Sequence, residues 1–221
     1  MRTLKIWMIV SCIFISHGIE AQNTQSTVIP SDILESISVQ VDRKAQLLCQ
    51  YIADIGSSRS ELTDGAKSDI IANDLPRLFW RFEMRKMTTT SGVNGQYKRV
   101  KSIKQYFNNL KLQSKTPHNR EVKYELFYDR ITNSRNIQDL SRWERMQDYD
   151  NCEVYRTTIT FEQSYYIISH NIQYGVDYKQ ASRVIKEEID KKSVFIYLIR
   201  RKDDNRNFAL LGDVYMAERI N

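Results

Sequence analysis

The hydrophobic period of this chain changes at Pro117, and few folds accommodate such a change. Before Pro117 apolar residues recur at three- and four-residue steps; beyond it they alternate with polar ones. The first spacing suits a helix with one buried stripe, the second a half-buried strand. Leu34, Ile37, Val41, Ala45, Leu48 and Ile52 form the longest stripe. Ser31 is placed to cap it, Glu35 lies near a capping-box position, and Gly56 stops it. The pattern predicts one long helix over 31–55. A shorter helical pattern covers 64–73, is interrupted by Pro76, and resumes an apolar surface at Leu75, Leu78, Phe79 and Phe82. Thr88 to Gly95 reads as a loop, with Ser91-Gly92 and Asn94-Gly95 as turn dipeptides. Val100, Ile103, Phe107 and Leu110 predict a third helix, with Lys98, Lys101 and Lys104 off its stripe.

Beyond Pro117, Val122, Tyr124, Leu126 and Tyr128 alternate with polar residues. Residues 132–151 are polar and irregular apart from Trp143. Glu153 to Ser169 reads as a long strand with Tyr155, Ile159, Phe161, Tyr165 and Ile167 on one face. The charged segment 179–192 allows a short helix through Val184, Ile185 and Ile189. Ser193 to Arg200 is apolar on both faces, hence a central strand, and Lys202-Asp203-Asp204-Asn205 turns it into a last strand, Asn207 to Arg219. Helices first and strands afterwards predict an α+β fold, N-terminal helices packed on one face of an antiparallel sheet.

The first 21 residues follow a different logic. Arg2 and Lys5 precede an apolar run, Ile6 to Ile15, and Ile19-Glu20-Ala21 offers a small residue at a cleavage point. Such an order is that of a secretory signal, and the run is too short to span a bilayer. An alternative is acylation at Cys12, because Ile9-Val10-Ser11-Cys12 resembles a lipobox; the apolar run continuing past Cys12 favours cleavage after Ala21. Membrane attachment is expected only in the lipidated case. Residues 22–30 are polar and aperiodic and read as a flexible tether, leaving 31–221 as one domain. The expected address is the periplasm or the exterior. Losing Arg2, Lys5 and Glu20 lowers the formal charge from +6 to +5.

In an oxidising compartment Cys49 and Cys152 are allowed to form a disulfide. The bridge would close a loop of about 100 residues and add ~4–5 kcal/mol in the chain-entropy model. Separate buried thiols are the alternative. Two cysteines without clustered histidines make no zinc site, and no Gly-rich phosphate loop is present, so no metal or cofactor is expected. Arg77, Arg81 and Arg85 recur every four residues, and Lys98, Arg99, Lys101 and Lys104 cluster. Acidic residues interleave elsewhere, so a solvated helix face is preferred to a nucleic-acid surface.

The long helix 31–55, the segment Tyr106-Phe107-Asn108-Asn109-Leu110-Lys111 leading into the first long strand, and the closing Phe208-Ala209-Leu210-Leu211-Gly212-Asp213-Val214 together give a resemblance. The chain resembles the nuclear transport factor 2-like (ketosteroid-isomerase-like, cystatin-like) superfamily over residues 31–219, and most of all its exported, uncharacterised bacterial members. The resemblance implies a cone in which helices lie in the concave face of a curved sheet. That superfamily hosts enzymes, binding modules and assembly proteins, so fold does not transfer function.

Enzymes on such a scaffold place acids and bases inside the cone. Asp129, Glu162 and Asp213 are the carboxylates to consider. Strand alternation puts Asp129 and Glu162 opposite their apolar neighbours, on a solvated face. Asp213 stands beside Gly212, where a turn or bulge explains it without catalysis. His118 and His170 flank elements and form no triad. The preferred reading is an exported, non-enzymatic module that takes a small apolar ligand or a protein partner, and the sheet face at 194–199 allows a homodimer. The alternative is a small hydrolase or isomerase using Asp213 as base, helped by a tyrosine.

Overall fold

In the computed structural model the longest stripe becomes α1, Ser31–Gly56, with Ile37, Val41, Ala45, Leu48 and Ile52 all buried. The structure describes residues 26–57, 60–91, 97–113, 122–128, 142–171 and 182–220. The signal and lipobox reading of 1–21 lies outside them, as do Asp129 and His118. Ser31 is the first helical residue, not the cap: Pro30 holds the cap position and no side chain caps the helix. Part of the supposed tether is docked. Ser26–Thr27 (β1) pairs with Glu144 and Trp143, and Ile29 is buried in the core.

α2 (Asp64–Asp69) runs through a π turn, Ile70–Asp74, into α3 (Leu75–Leu78). Pro76 explains the wide turn. Its ring would clash with the carbonyl four residues back, and the Leu75 amide instead donates to the Ile70 carbonyl.

Two expectations around residue 100 are overturned. Lys86–Ser91 (β2) and Tyr97–Ser102 (β3) pair antiparallel as a hairpin where a loop and the start of a helix were predicted. Val100 fits a helical stripe by chance of spacing; it is an exposed residue of a strand. The helix proper, α4, is Ile103–Gln113, capped by the Ser102 hydroxyl, which accepts from the Gln105 amide at 3.1 Å. Its buried residues are Ile103, Tyr106, Phe107 and Leu110.

The remaining strands are β4 (Val122–Tyr128), β5 (Trp143–Arg145), β6 (Cys152–Asn171), β7 (Ser182–Arg201) and β8 (Asn207–Ile220). The segment 182–192, where a helix was allowed, is strand. It pairs with β6 along its length, with one register shift at Ile185, and this outweighs its helix-compatible charge pattern. The strands join in the order β1-β5-β6-β7-β8-β2-β3, with β4 also on β6. All described pairings between named strands are antiparallel except β8 with β2, so the sheet is mixed, and it remains open at β3. The fold is α+β.

The core lies between the helices and one sheet face. α1 and α4 meet Ile159 and Phe161 of β6, Val194, Ile196 and Leu198 of β7, and Ala209, Leu211 and Val214 of β8. Two amide side chains fix the layers in register. The Gln40 oxygen accepts from the Ala209 amide at 3.0 Å, and Gln163 Nε2 donates to the Cys49 carbonyl at 3.1 Å. Lys192 is buried on the same side and donates to Gln163 Oε1 at 3.2 Å.

Candidate functional site

The central strand β7 has two apolar faces, as expected, and the second one builds a site. Val194, Ile196 and Leu198 enter the helix-covered core, whereas Tyr197 and Ile199 join Val154 in a separate cluster on the opposite face. Trp80, Met146, Cys152, Phe195 and Leu210 pack against that cluster. Two segments of the chain wall it.

One wall follows α3. The chain leaves the helix extended at Phe79, and the Trp80 amide donates to the Leu211 carbonyl at 2.7 Å, laying the segment beside β8. Alternation then sends Phe79 into the core and Trp80 to the outer face. Arg81 turns the chain at φ 51° into a short 3-10 turn, Phe82–Met84, which leads to Arg85 and β2. The other wall is the β5–β6 connection. Tyr149 and Cys152 exchange backbone hydrogen bonds at 3.0 and 2.8 Å around Asp150 and Asn151, both at positive φ. Positive φ at both central residues marks a tight hairpin turn, and Asp and Asn tolerate it best among residues with side chains.

Between the walls is an open cleft of about 310 Å³, floored by Val154 and Tyr197. Trp80 meets Tyr149 edge to face at 5.7 Å, and the Arg81 guanidinium lies 4.9 Å from the Tyr149 ring centre. The Arg85 guanidinium stacks at 5.0 Å on the Tyr197 ring and donates from Nη1 to the Tyr197 hydroxyl at 3.1 Å. Asp148 closes the rim. It accepts from Lys202 at 2.7 Å and from Arg145 at 3.0 Å, and these two cations hold its carboxyl below the ordinary range.

Asp213 stands behind Arg85. Val194 pairs with Val214 and Ile196 with Leu211, so Gly212 and Asp213 together oppose Phe195: a bulge. Asp213 Oδ1 accepts from the Lys86 amide at 2.8 Å and lies 3.9 Å from Arg85 Nη1. Burial raises the Tyr215 hydroxyl above its ordinary value, with Asp213 adding to the shift. The carboxylate therefore ties β8 to β2 on the sheet face away from the core.

Cys49 and Cys152 are not bonded to each other. Cys49 belongs to the core under α1 and Cys152 packs on the outer cluster, so the sheet separates them. Glu162 lies on the face opposite Phe161 and Gln163. His170 sits on β6 opposite Lys123 and Ser182. Arg77, Arg81 and Arg85 share no helix face, because α3 ends at Leu78; Arg77 stays on the helix while Arg81 and Arg85 enter the cleft. Trp80 and Tyr149 were not singled out by sequence, and Tyr197 only as part of the apolar face of strand 194–199. The Asp150-Asn151 pair was the available signal, since it marks a hairpin inside a stretch read as irregular. Among the described residues no three His, Cys, Asp or Glu side chains converge on a metal position. Compared with known proteins, the chain matches no family model, no curated protein and no solved structure.

Proposed function

We propose that this chain is an exported, non-enzymatic binding module on a nuclear transport factor 2-like scaffold, and that its ligand sits in the outer-face cleft and not inside the cone. One observation carries the choice of face. Among the described residues, Phe79, Phe107, Phe161, Trp143, Ile37 and Leu48 are at most 2 % exposed and pack into one cluster between helices and sheet. The described polar residues that are fully buried are Ser57, Lys67, Gln163 and Lys192, none of them a carboxylate, while half-buried Asp54 on α1 has one carboxylate oxygen out of solvent within electrostatic reach of Lys67. A general base inside the cone has no support from such a set. The order of charge, apolar run and small residue over 2–21 supports export. The long helix laid on a largely antiparallel sheet supports the scaffold.

The binding site is tested by amide chemical-shift mapping of the mature chain against a panel of small aromatic and aliphatic compounds. Shifts gathered at Trp80, Met146, Tyr149 and Tyr197 are expected. Shifts confined to Phe107, Phe161 and Ile196 would place the ligand in the interior and overturn the reading. Export is tested by the mass of the N-terminus in an expressing cell: a chain starting at Gln22 is expected, and an acylated Cys12 or a retained Met1 contradicts it.

A further inference from the structure

We infer that the cleft takes a small amphipathic organic anion, a carboxylate carried on an aromatic or short aliphatic body, with Arg81 and Arg85 as its charge partners. This rests on the outer-face reading above and adds the ligand class to it.

Size comes first. About 310 Å³ is at the small end of cavities that hold organic ligands, enough for a one-ring compound and too little for an extended polymer segment. The floor and one wall are apolar. Val154 and Tyr197 lie beneath, with Trp80 and Met146 beside them, so the ligand needs a body to desolvate against these groups.

Charge decides the rest. Two guanidiniums line the cleft against one carboxylate, Asp148, and that carboxylate is already engaged by Lys202 and Arg145. A cationic ligand would meet repulsion without a vacant partner. A neutral one would cover the guanidiniums without giving them an acceptor, which is costly in a partly dry site. Arg85 is the stronger anchor. Its side chain is only 11 % exposed, and its ion pair with Asp213 is long at 3.9 Å because Asp213 Oδ1 is directed to the Lys86 amide. Its Nε is buried with no acceptor among the described residues. Aromatic rings hold both guanidiniums in place before any ligand arrives, Arg85 over Tyr197 and Arg81 over Tyr149. A preset guanidinium plane suits a carboxylate, whose two oxygens match its parallel donors. Arg81 holds its position at positive φ, a conformation that a residue with a side chain adopts at a cost and that often marks functional sites.

The test is a titration of the mature chain with phenylacetate, phenylacetamide and acetate, followed by amide shifts. Phenylacetate is expected to saturate in about the millimolar range, as suits a fragment of its size. Phenylacetamide, which keeps the ring and loses the charge, and acetate, which keeps the charge and loses the ring, are each expected to bind about tenfold or more weakly. Arg81→Gln and Arg85→Gln are each expected to weaken phenylacetate by about tenfold, while Arg77→Gln on α3 leaves it unchanged. Should Arg85→Gln fail to fold, the exposed Arg81→Gln still decides. Equal binding of phenylacetate and phenylacetamide, or wild-type affinity in Arg81→Gln, overturns the ligand class, and shifts at Trp80 would leave the outer-face reading standing. No shift at Trp80 and Tyr149 with any of the three overturns the inference. Movement of Phe107 and Phe161 instead contradicts the reading beneath it.

Discussion

Gly212 lies under the ring of Tyr197. A Cβ built there would overlap the ring at Cε2 and stand 2.9 Å from Phe195 Cβ, so only glycine lets the ring lie flat on the bulge. Gly212→Ala is expected to push the ring away, break its hydrogen bond with Arg85 and cost about 1–3 kcal/mol in a denaturant titration. Asp148 acts by charge. Its folded-state value lies below the ordinary one, so its stabilising effect is complete above the ordinary carboxylate range and is lost as pH falls through the depressed value. Wild type is therefore expected to exceed Asp148→Asn in stability at neutral pH by a small margin, closing in acid; melting temperatures of both across pH check this. Asp213 shows the limit of sequence at this scale. Its neighbour Gly212 pointed to a turn or a bulge, and the register with β7 makes it a bulge, but which face it turns the carboxylate toward depends on a register that only β7 sets.

At the scale of elements, legibility followed the strength of the apolar pattern. α1 has six stripe residues and was readable nearly to its last residue, Gly56. The β2–β3 hairpin was hidden because Thr88-Thr89-Thr90-Ser91 carries no apolar alternation, and because pairing with β8, more than a hundred residues away, holds β2 in the sheet. Val100 then extended the stripe of α4 backward by coincidence. The first half of β7 was unreadable for a related reason: Lys186 to Lys192 is mostly charged, and its extended form comes from pairing with β6 and, from Ile189 onward, with β8 as well. The boundary between β3 and α4 is fixed by the Ser102 cap. Ser102→Ala is expected to cost about 1 kcal/mol, measured by chemical denaturation, because the Gln105 amide loses its acceptor.

At the scale of the molecule the sheet has two apolar faces with different fates. One is covered, over its described core residues, by helices pinned through Gln40 and Gln163, and the other is covered in part by two short segments that leave a cleft between arginines and aromatics. The first face was legible as a core because its residues repeat with regular spacing. The second was legible only in β7, since Trp80 with Arg85, Tyr149 and Tyr197 come from three separate stretches that only the folded chain brings together. The ligand is proposed for the outer-face cleft because side chains fill the described core between the helices and the sheet. Diffraction from crystals of the mature chain under xenon pressure measures that directly, because xenon enters apolar voids and little else. No xenon is expected between α1 and strands β6 to β8. Xenon among Ile37, Leu48, Phe107 and Phe161 would contradict the account.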